Sequence, residues 1–146
     1  MKWPEPHRET TQTVCNMKIE NVKKLLEAAP SLYGDSLWFE CGDGWFDIIL
    51  NASQQLEKQI LTYPKDVRDD IVALQVKEKY GTLRFYLSYY MEELDIIIQN
   101  LEKQSACTCE TCGNPGRVVG YMWLYTACDE HTRDEDKQTK LPPNTQ

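Results

Sequence analysis

Cys109-Glu110-Thr111-Cys112 and Cys128-Asp129-Glu130-His131 constrain this chain more than any other feature, because they offer four soft or borderline metal donors in two close pairs. Zinc takes a closed tetrahedron of thiolate sulfur and imidazole nitrogen, and a two-residue spacer lets one tight turn aim both side chains of a pair at the same ion. Between the pairs, residues 117–125 have the β-branched and aromatic bias of two short strands hinged at Gly120. The pattern predicts a zinc ribbon in which Cys109, Cys112, Cys128 and His131 hold one structural Zn2+. Cys107 is a further candidate ligand, but a single-residue spacer on an extended strand sends it and Cys109 to opposite sides. Metal-free thiols, or a redox pair at Cys109 and Cys112, are the alternatives. Four protein ligands leave no position for water, so the metal is expected to fold the segment and not to catalyse.

The rest of the chain has room for one compact core. Of its 146 residues 41% are hydrophobic, enough for a single domain with a metal-braced appendage. The expected boundaries are a flexible arm over 1–15, an α+β core over 16–105, the ribbon over 106–131 and a polar tail over 132–146. The net charge of −7 provides no field to attract nucleic acid or an anionic membrane, so nucleic acid is disfavoured and a protein partner expected. No apolar run reaches the length of a membrane span, and the first residues lack the apolar segment of a signal peptide, which predicts a cytoplasmic protein. Isolated Cys15 and Cys41 suit that reducing compartment.

Trp3 stands alone in the polar arm and is expected to dock onto the domain. Val22, Leu25, Leu26 and Ala29 recur at helical spacing and stop at Pro30, predicting a first helix. Residues 31–40 read as a packed connector carrying Leu32, Tyr33, Leu37, Trp38 and Phe39. Cys41-Gly42-Asp43-Gly44-Trp45-Phe46-Asp47 reads as a turn into a second helix capped by Asp43, with Trp45, Ile48, Ile49, Ala52, Leu56 and Ile60 on its apolar face. Asp43 and Asp47, together with Glu78, also form a candidate carboxylate site for acid/base work.

Val72, Leu74 and Val76, then Leu83, Phe85 and Leu87, alternate with polar residues and predict a β-hairpin turning at Gly81. On its other face Lys77, Lys79, Tyr80, Arg84 and Tyr86 gather charge and aromatic rings, a candidate binding surface in an acidic chain; the plainer reading pairs Arg84 with a nearby carboxylate. Trp38 and Phe39 are a second candidate surface. Ser88 is placed as the cap of a last helix bearing Leu94, Ile97, Ile98 and Leu101. The order predicts an α+β fold with helices on one face of a small antiparallel sheet, followed by the ribbon.

Residues 39–46 (Phe-Glu-Cys-Gly-Asp-Gly-Trp-Phe), residues 75–86 (Gln-Val-Lys-Glu-Lys-Tyr-Gly-Thr-Leu-Arg-Phe-Tyr) and the Cys-x-x-Cys-Gly-x-Pro-Gly element ending in Cys-Asp-Glu-His resemble a family of small proteins encoded by bacteriophages and prophages. The resemblance spans about residues 38–131. It implies a phage or prophage origin and carries over no catalytic residues.

Two function classes follow. One is a non-catalytic binding protein, a phage accessory factor that engages and inhibits or redirects a host protein such as an antiviral defence component. The other sequesters a small phosphorylated ligand on the Lys77/Lys79/Arg84 face, or hydrolyses one with Asp43, Asp47 and Glu78. His7 lies in the arm and His131 is a candidate ligand, so histidine-based catalysis is not expected.

Overall fold

A computed structural model describes residues 17–34 and 39–137. The predicted arm with Trp3, His7 and Cys15, the candidate Trp38, and the tail beyond residue 137 lie outside the described residues. Within them the fold is α+β, with five α-helices, a three-stranded sheet and a two-stranded ribbon.

Helix α1 (Ile19–Ala28) starts where Asp43 Oδ1 accepts the backbone N–H of Lys18 at 2.8 Å and the Asn21 side-chain amide at 2.9 Å. Asp43 therefore serves the first helix, in place of the predicted role as cap of its own. It lies in a single 3-10 turn, Asp43–Trp45, that runs directly into α3 (Phe46–Ile60), where no side chain caps the N-terminus. A continuous turn leaves no break at which a cap is needed.

Part of the predicted connector is helical. Pro30 opens α2 (Pro30–Tyr33), where its missing N–H costs nothing. The buried carboxylate of Glu57 on α3 accepts the N–H groups of Ser31 and Leu32 at 3.1 Å each, the second shared with the Ala29 carbonyl at 3.2 Å, and so holds the first turn of the short helix. Leu32 and Tyr33 are buried, and Tyr33 hydroxyl bonds Ser53 Oγ.

Strand β1 (Phe39–Glu40) pairs in parallel with β2 (Ala73–Lys79), and β2 pairs antiparallel with β3 (Thr82–Leu87). The sheet is thus mixed, in the order β1-β2-β3, and not the purely antiparallel one predicted. Two residues are too short a strand to show any alternation. Tyr80 (φ 54°) and Gly81 (φ 90°) form the two-residue turn, both left-handed as a type I′ hairpin requires.

The predicted alternation of β2 breaks at Leu74, which is 60% exposed. Ala73 opposes Leu87 and Gln75 opposes Tyr86, so one strand carries an extra residue between these pairs. That bulge shifts the phase: Ala73 and Val76 both point inward.

A four-residue helix, α4 (Lys65–Arg68), links α3 to β2 and was not read from the sequence. Helix α5 (Glu92–Ser105) begins after Met91, so Ser88 does not cap it. Ser88 instead accepts the Val72 N–H at 2.9 Å and donates to the Asp70 carbonyl at 2.6 Å, closing the open end of the hairpin. Along the outer edge of β3, the amides of Leu83 and Phe85 donate to Ser105 Oγ (2.9 Å) and Glu102 Oε1 (3.4 Å) of α5.

One core joins α1, α2, α3, α5 and the inner face of the sheet, with Leu25, Trp45, Ile49, Leu56, Ile60, Leu83 and Leu101 closed to solvent. Trp45 and Ile49 share it with Leu83 and Phe85, and Ile48 lies at its margin. Strands β4 (Arg117–Val119) and β5 (Tyr125–Ala127) pair antiparallel as the ribbon. The chain beyond His131 is not a plain tail up to residue 137: Thr132 is buried, and a 3-10 turn at Asp134–Asp136 returns to Tyr125, whose hydroxyl donates to Asp136 Oδ2 at 2.6 Å. The run of charge there hid this contact from a reading by composition.

Candidate metal centre

Two turns bring the four predicted ligands together. The first follows α5, where Gly113 N–H donates to the Cys109 carbonyl at 2.9 Å and closes the Cys109–Cys112 knuckle. The second follows β5, where the N–H groups of His131 and Thr132 both donate to the Cys128 carbonyl, at 3.2 and 3.0 Å, and turn the imidazole back toward the sulfurs. The donor atoms of Cys109, Cys112, Cys128 and His131 all lie within 4.8 Å of one another, and the group could hold a metal ion.

Distances within the group suit a small tetrahedral ion. Cys112 Sγ lies 3.7 Å from Cys128 Sγ, and His131 Nδ1 lies 3.7 Å from Cys109 Sγ and 3.1 Å from Cys128 Sγ. A tetrahedron with zinc–sulfur bonds of about 2.3 Å has sulfur–sulfur edges of about 3.8 Å. Burial works against a thiolate at Cys109, but N–H groups of Cys128, Cys112 and Thr111 directed at its sulfur outweigh that, bringing the thiol down to about 6. Cys107 is exposed and stands outside the group; its carbonyl accepts Gly116 N–H at 2.9 Å, and Thr108 bridges to Pro115 across the same turn.

The knuckle is locked to the core by the other two sequence motifs. Gly44 N–H donates to the Glu110 carbonyl at 2.7 Å, Gly42 N–H donates to Glu110 Oε1 at 3.1 Å, and Trp45 Nε1 donates to the Thr108 carbonyl at 2.8 Å. A Cβ on Gly44 would fall 2.1 Å from the Cys109 carbonyl oxygen, so only glycine admits this approach. From the other side, buried Thr126 of β5 donates to the Gly81 carbonyl at 2.6 Å and fixes the hairpin turn to the ribbon. Burial of Glu110 is the main reason its carboxyl rises to about 7; nearby Glu78 and Cys109 add to that rise, against the Gly42 N–H. Glu110, Trp45 and Thr126 were not singled out as clamps, and the two closely spaced glycines before Trp45 were the one available signal.

The candidate carboxylates occupy separate structural positions. Asp43 serves α1, Asp47 is exposed in the first turn of α3, and Glu78 Oε1 accepts Gly81 N–H at 2.7 Å within the hairpin turn. Among the described residues, the Cys/His group is the one set of three or more such side chains near enough to share an ion. Cys41 is buried, and burial with the carboxylates of Glu110, Asp43, Glu40 and Glu78 pushes its thiol far up, which leaves it unreactive.

On the outer sheet face Lys77 stands directly opposite Arg84, Lys79 opposite Thr82 and Gln75 opposite Tyr86, with Glu40 beside Lys77 on β1. Among the described residues Arg84 has no carboxylate partner. Its Nη1 donates to Thr82 Oγ1 at 2.6 Å and to the Leu83 carbonyl at 3.0 Å. Lys79 Nζ lies 5.6 Å from the centre of the Tyr80 ring. Phe39 is buried against Tyr33, so it belongs to the core and offers no surface.

Residues 120–124, predicted as part of two hinged strands, form the loop between β4 and β5 and carry large exposed apolar side chains. Among the described residues no helix is long and apolar enough to cross a membrane. Comparison of the chain with protein-family models, curated proteins and solved structures gives no match.

Proposed function

We propose that this chain is a non-catalytic binding protein whose ribbon is braced by one zinc ion, and that its partner is another protein. The resemblance of its three motifs to those of phage and prophage proteins extends the reading to an accessory factor that inhibits or redirects a host protein. Three sulfurs and one imidazole are the donor set that suits zinc, and four protein ligands fill its tetrahedron. The ion then contributes folding energy, holding the knuckle against Gly44 and Trp45.

The observation that carries the binding reading is the loop at 120–124: Tyr121, Met122 and Trp123 project into solvent from the β4–β5 hairpin. Large side chains of these types, held on a rigid support, are what protein interfaces use as anchors. A second reading, capture of a small phosphorylated ligand, is favoured by Lys77 facing Arg84 directly, since an anion between them relieves the repulsion of two like charges.

Affinity capture from host lysate by the zinc-loaded chain, with recovered proteins and heat-released small molecules both identified, tests the two. A stoichiometric protein lost after chelation supports the first. A released nucleotide or other phosphate ester, with no protein retained, overturns it in favour of the second.

A further inference from the structure

The ribbon tip and the β2–β3 turn meet. Gly81 packs against the backbone of Leu124 and Tyr125, so Tyr80 stands beside the loop that presents Tyr121, Met122 and Trp123. These four side chains are 73%, 83%, 91% and 70% exposed, an unusual concentration of large apolar groups in solvent. The loop is also fixed in shape. Gly120 takes φ 98°, and a Cβ there would fall 2.1 Å from the Trp123 carbonyl oxygen, so the backbone is pinched shut beneath the three side chains.

The charge left free on the strand face beside this apolar tip is positive, because the Glu78 carboxylate of the same turn is taken up by Gly81 N–H at 2.7 Å. Arg117 and Arg133 of the ribbon are engaged by Asp129 and by Glu135 and Asp136. Lys77, Lys79 and Arg84 have no ion pair among the described residues; Lys79 lies over Tyr80, and Arg84 reaches along β3 toward the turn through Thr82. The single carboxylate in register with them is Glu40, beside Lys77 and away from the turn. In a chain of net charge −7, positive charge with no ion pair among the described residues is thus collected beside Tyr80 and its turn.

We propose that Tyr80, Tyr121, Met122 and Trp123, flanked by Lys79 and Arg84, form one docking surface for an acidic protein segment that carries an apolar anchor beside its carboxylates. The proposal deepens the binding-protein reading and rests on it. Charge complementarity selects this occupant. A second copy meeting the same patch about a twofold axis sets Lys79 against like charge. Nucleic acid and anionic bilayers carry continuous negative charge that the chain as a whole repels, whereas a peptide presents only a few carboxylates to the cationic rim.

The test uses the full zinc-loaded chain as bait for a displayed random-peptide library. The enriched peptide is then measured by fluorescence anisotropy against wild type, the double variant Tyr121→Ser/Trp123→Ser, Met122→Ser alone, and Lys79→Glu, each first checked for metal content and circular dichroism. We expect peptides combining an aromatic or Leu anchor with Asp or Glu, at least about tenfold weaker binding by the double variant, and weaker binding by Lys79→Glu and at high salt. Should the double variant lose its metal, Met122→Ser takes its place. Acidic peptides that bind the tip variants normally overturn the surface while leaving a binding protein standing. Enriched peptides without carboxylates, or dimerisation abolished by the double variant, overturn the acidic partner. Preferential binding of oligothymidylate or phosphatidylserine-containing vesicles, with no peptide enriched, overturns the protein-binding reading as well.

Discussion

The indole N–H of Trp45 donates to the carbonyl of Thr108 at 2.8 Å, so a side chain at the centre of the core also holds the first residue before the metal knuckle. Core packing and ribbon position therefore depend on one residue. Trp45→Phe removes the bond while keeping most of the volume, and should cost about 1–3 kcal/mol, the penalty for leaving a carbonyl without its donor. Trp45→Ala should cost about 3–5 kcal/mol. Urea unfolding monitored by circular dichroism measures both; equal losses for the two variants would show that the hydrogen bond, and not the ring's bulk, dominates.

Metal binding should be stoichiometric and confined to four residues. Elemental analysis of the native protein is expected to find one zinc per chain, abolished by Cys112→Ser and retained by Cys41→Ser, Cys107→Ser and Cys15→Ser. Retention of full metal by Cys112→Ser would redraw the ligand set.

Gly44→Ala places a methyl group against the Cys109 carbonyl, and overpacking of this kind typically costs about 1–3 kcal/mol, more where backbone must move. Because the displaced backbone belongs to a ligand, the same variant should release zinc more readily to a chelator. A loss of stability with unchanged zinc affinity would mean that core and knuckle move independently.

The pH dependence of the metal-free protein follows from Cys109. Its thiol is brought down to about 6 from an ordinary value of 9.0, so the unfolded chain binds a proton that the folded chain releases. Stability from this group is present in full above about 9 and is lost as pH falls through about 6. Thermal melts of the apo protein should thus rise from about 7 to about 9, above the range in which the raised Glu110 carboxyl, whose contribution is lost as pH rises through about 7, opposes the gain, and zinc should be given up as acid reprotonates the ligands. In Cys109→Ala the rise should flatten.

Lys77 and Arg84 oppose each other with like charge, so removing them removes a repulsion. Lys77→Ala/Arg84→Ala should fold with stability within about 1 kcal/mol of wild type. A larger loss, seen in chemical denaturation, would assign Arg84 a structural role through Thr82 and the Leu83 carbonyl.

The features legible in the sequence were those with a short repeat or a strict chemical requirement. The Cys/His spacing, the apolar stripe from Trp45 to Ile60, and the Tyr80-Gly81 turn are of this kind. The features that were not legible depend on partners distant in the chain. Asp43 precedes a helix and so reads as its cap, yet its carboxylate meets Lys18, 25 residues earlier. Leu74 continues an alternating pattern, and only the register with Leu87 and Tyr86 reveals the extra residue that turns it outward. Ser88 looks like a cap because nothing local shows that Val72 and Asp70 are beside it. The ribbon tip was read as strand because aromatic and β-branched residues favour both a pleated sheet and an interface.

The two amides of β3 that donate to Ser105 and Glu102 have a consequence for solutions of this protein at high concentration. A free strand edge is a template on which further chains add, ending in fibres. With these donors already spent on α5, the long edge of the sheet offers incoming backbone a poor template. Concentrated solutions should then resist ordered β growth along β3.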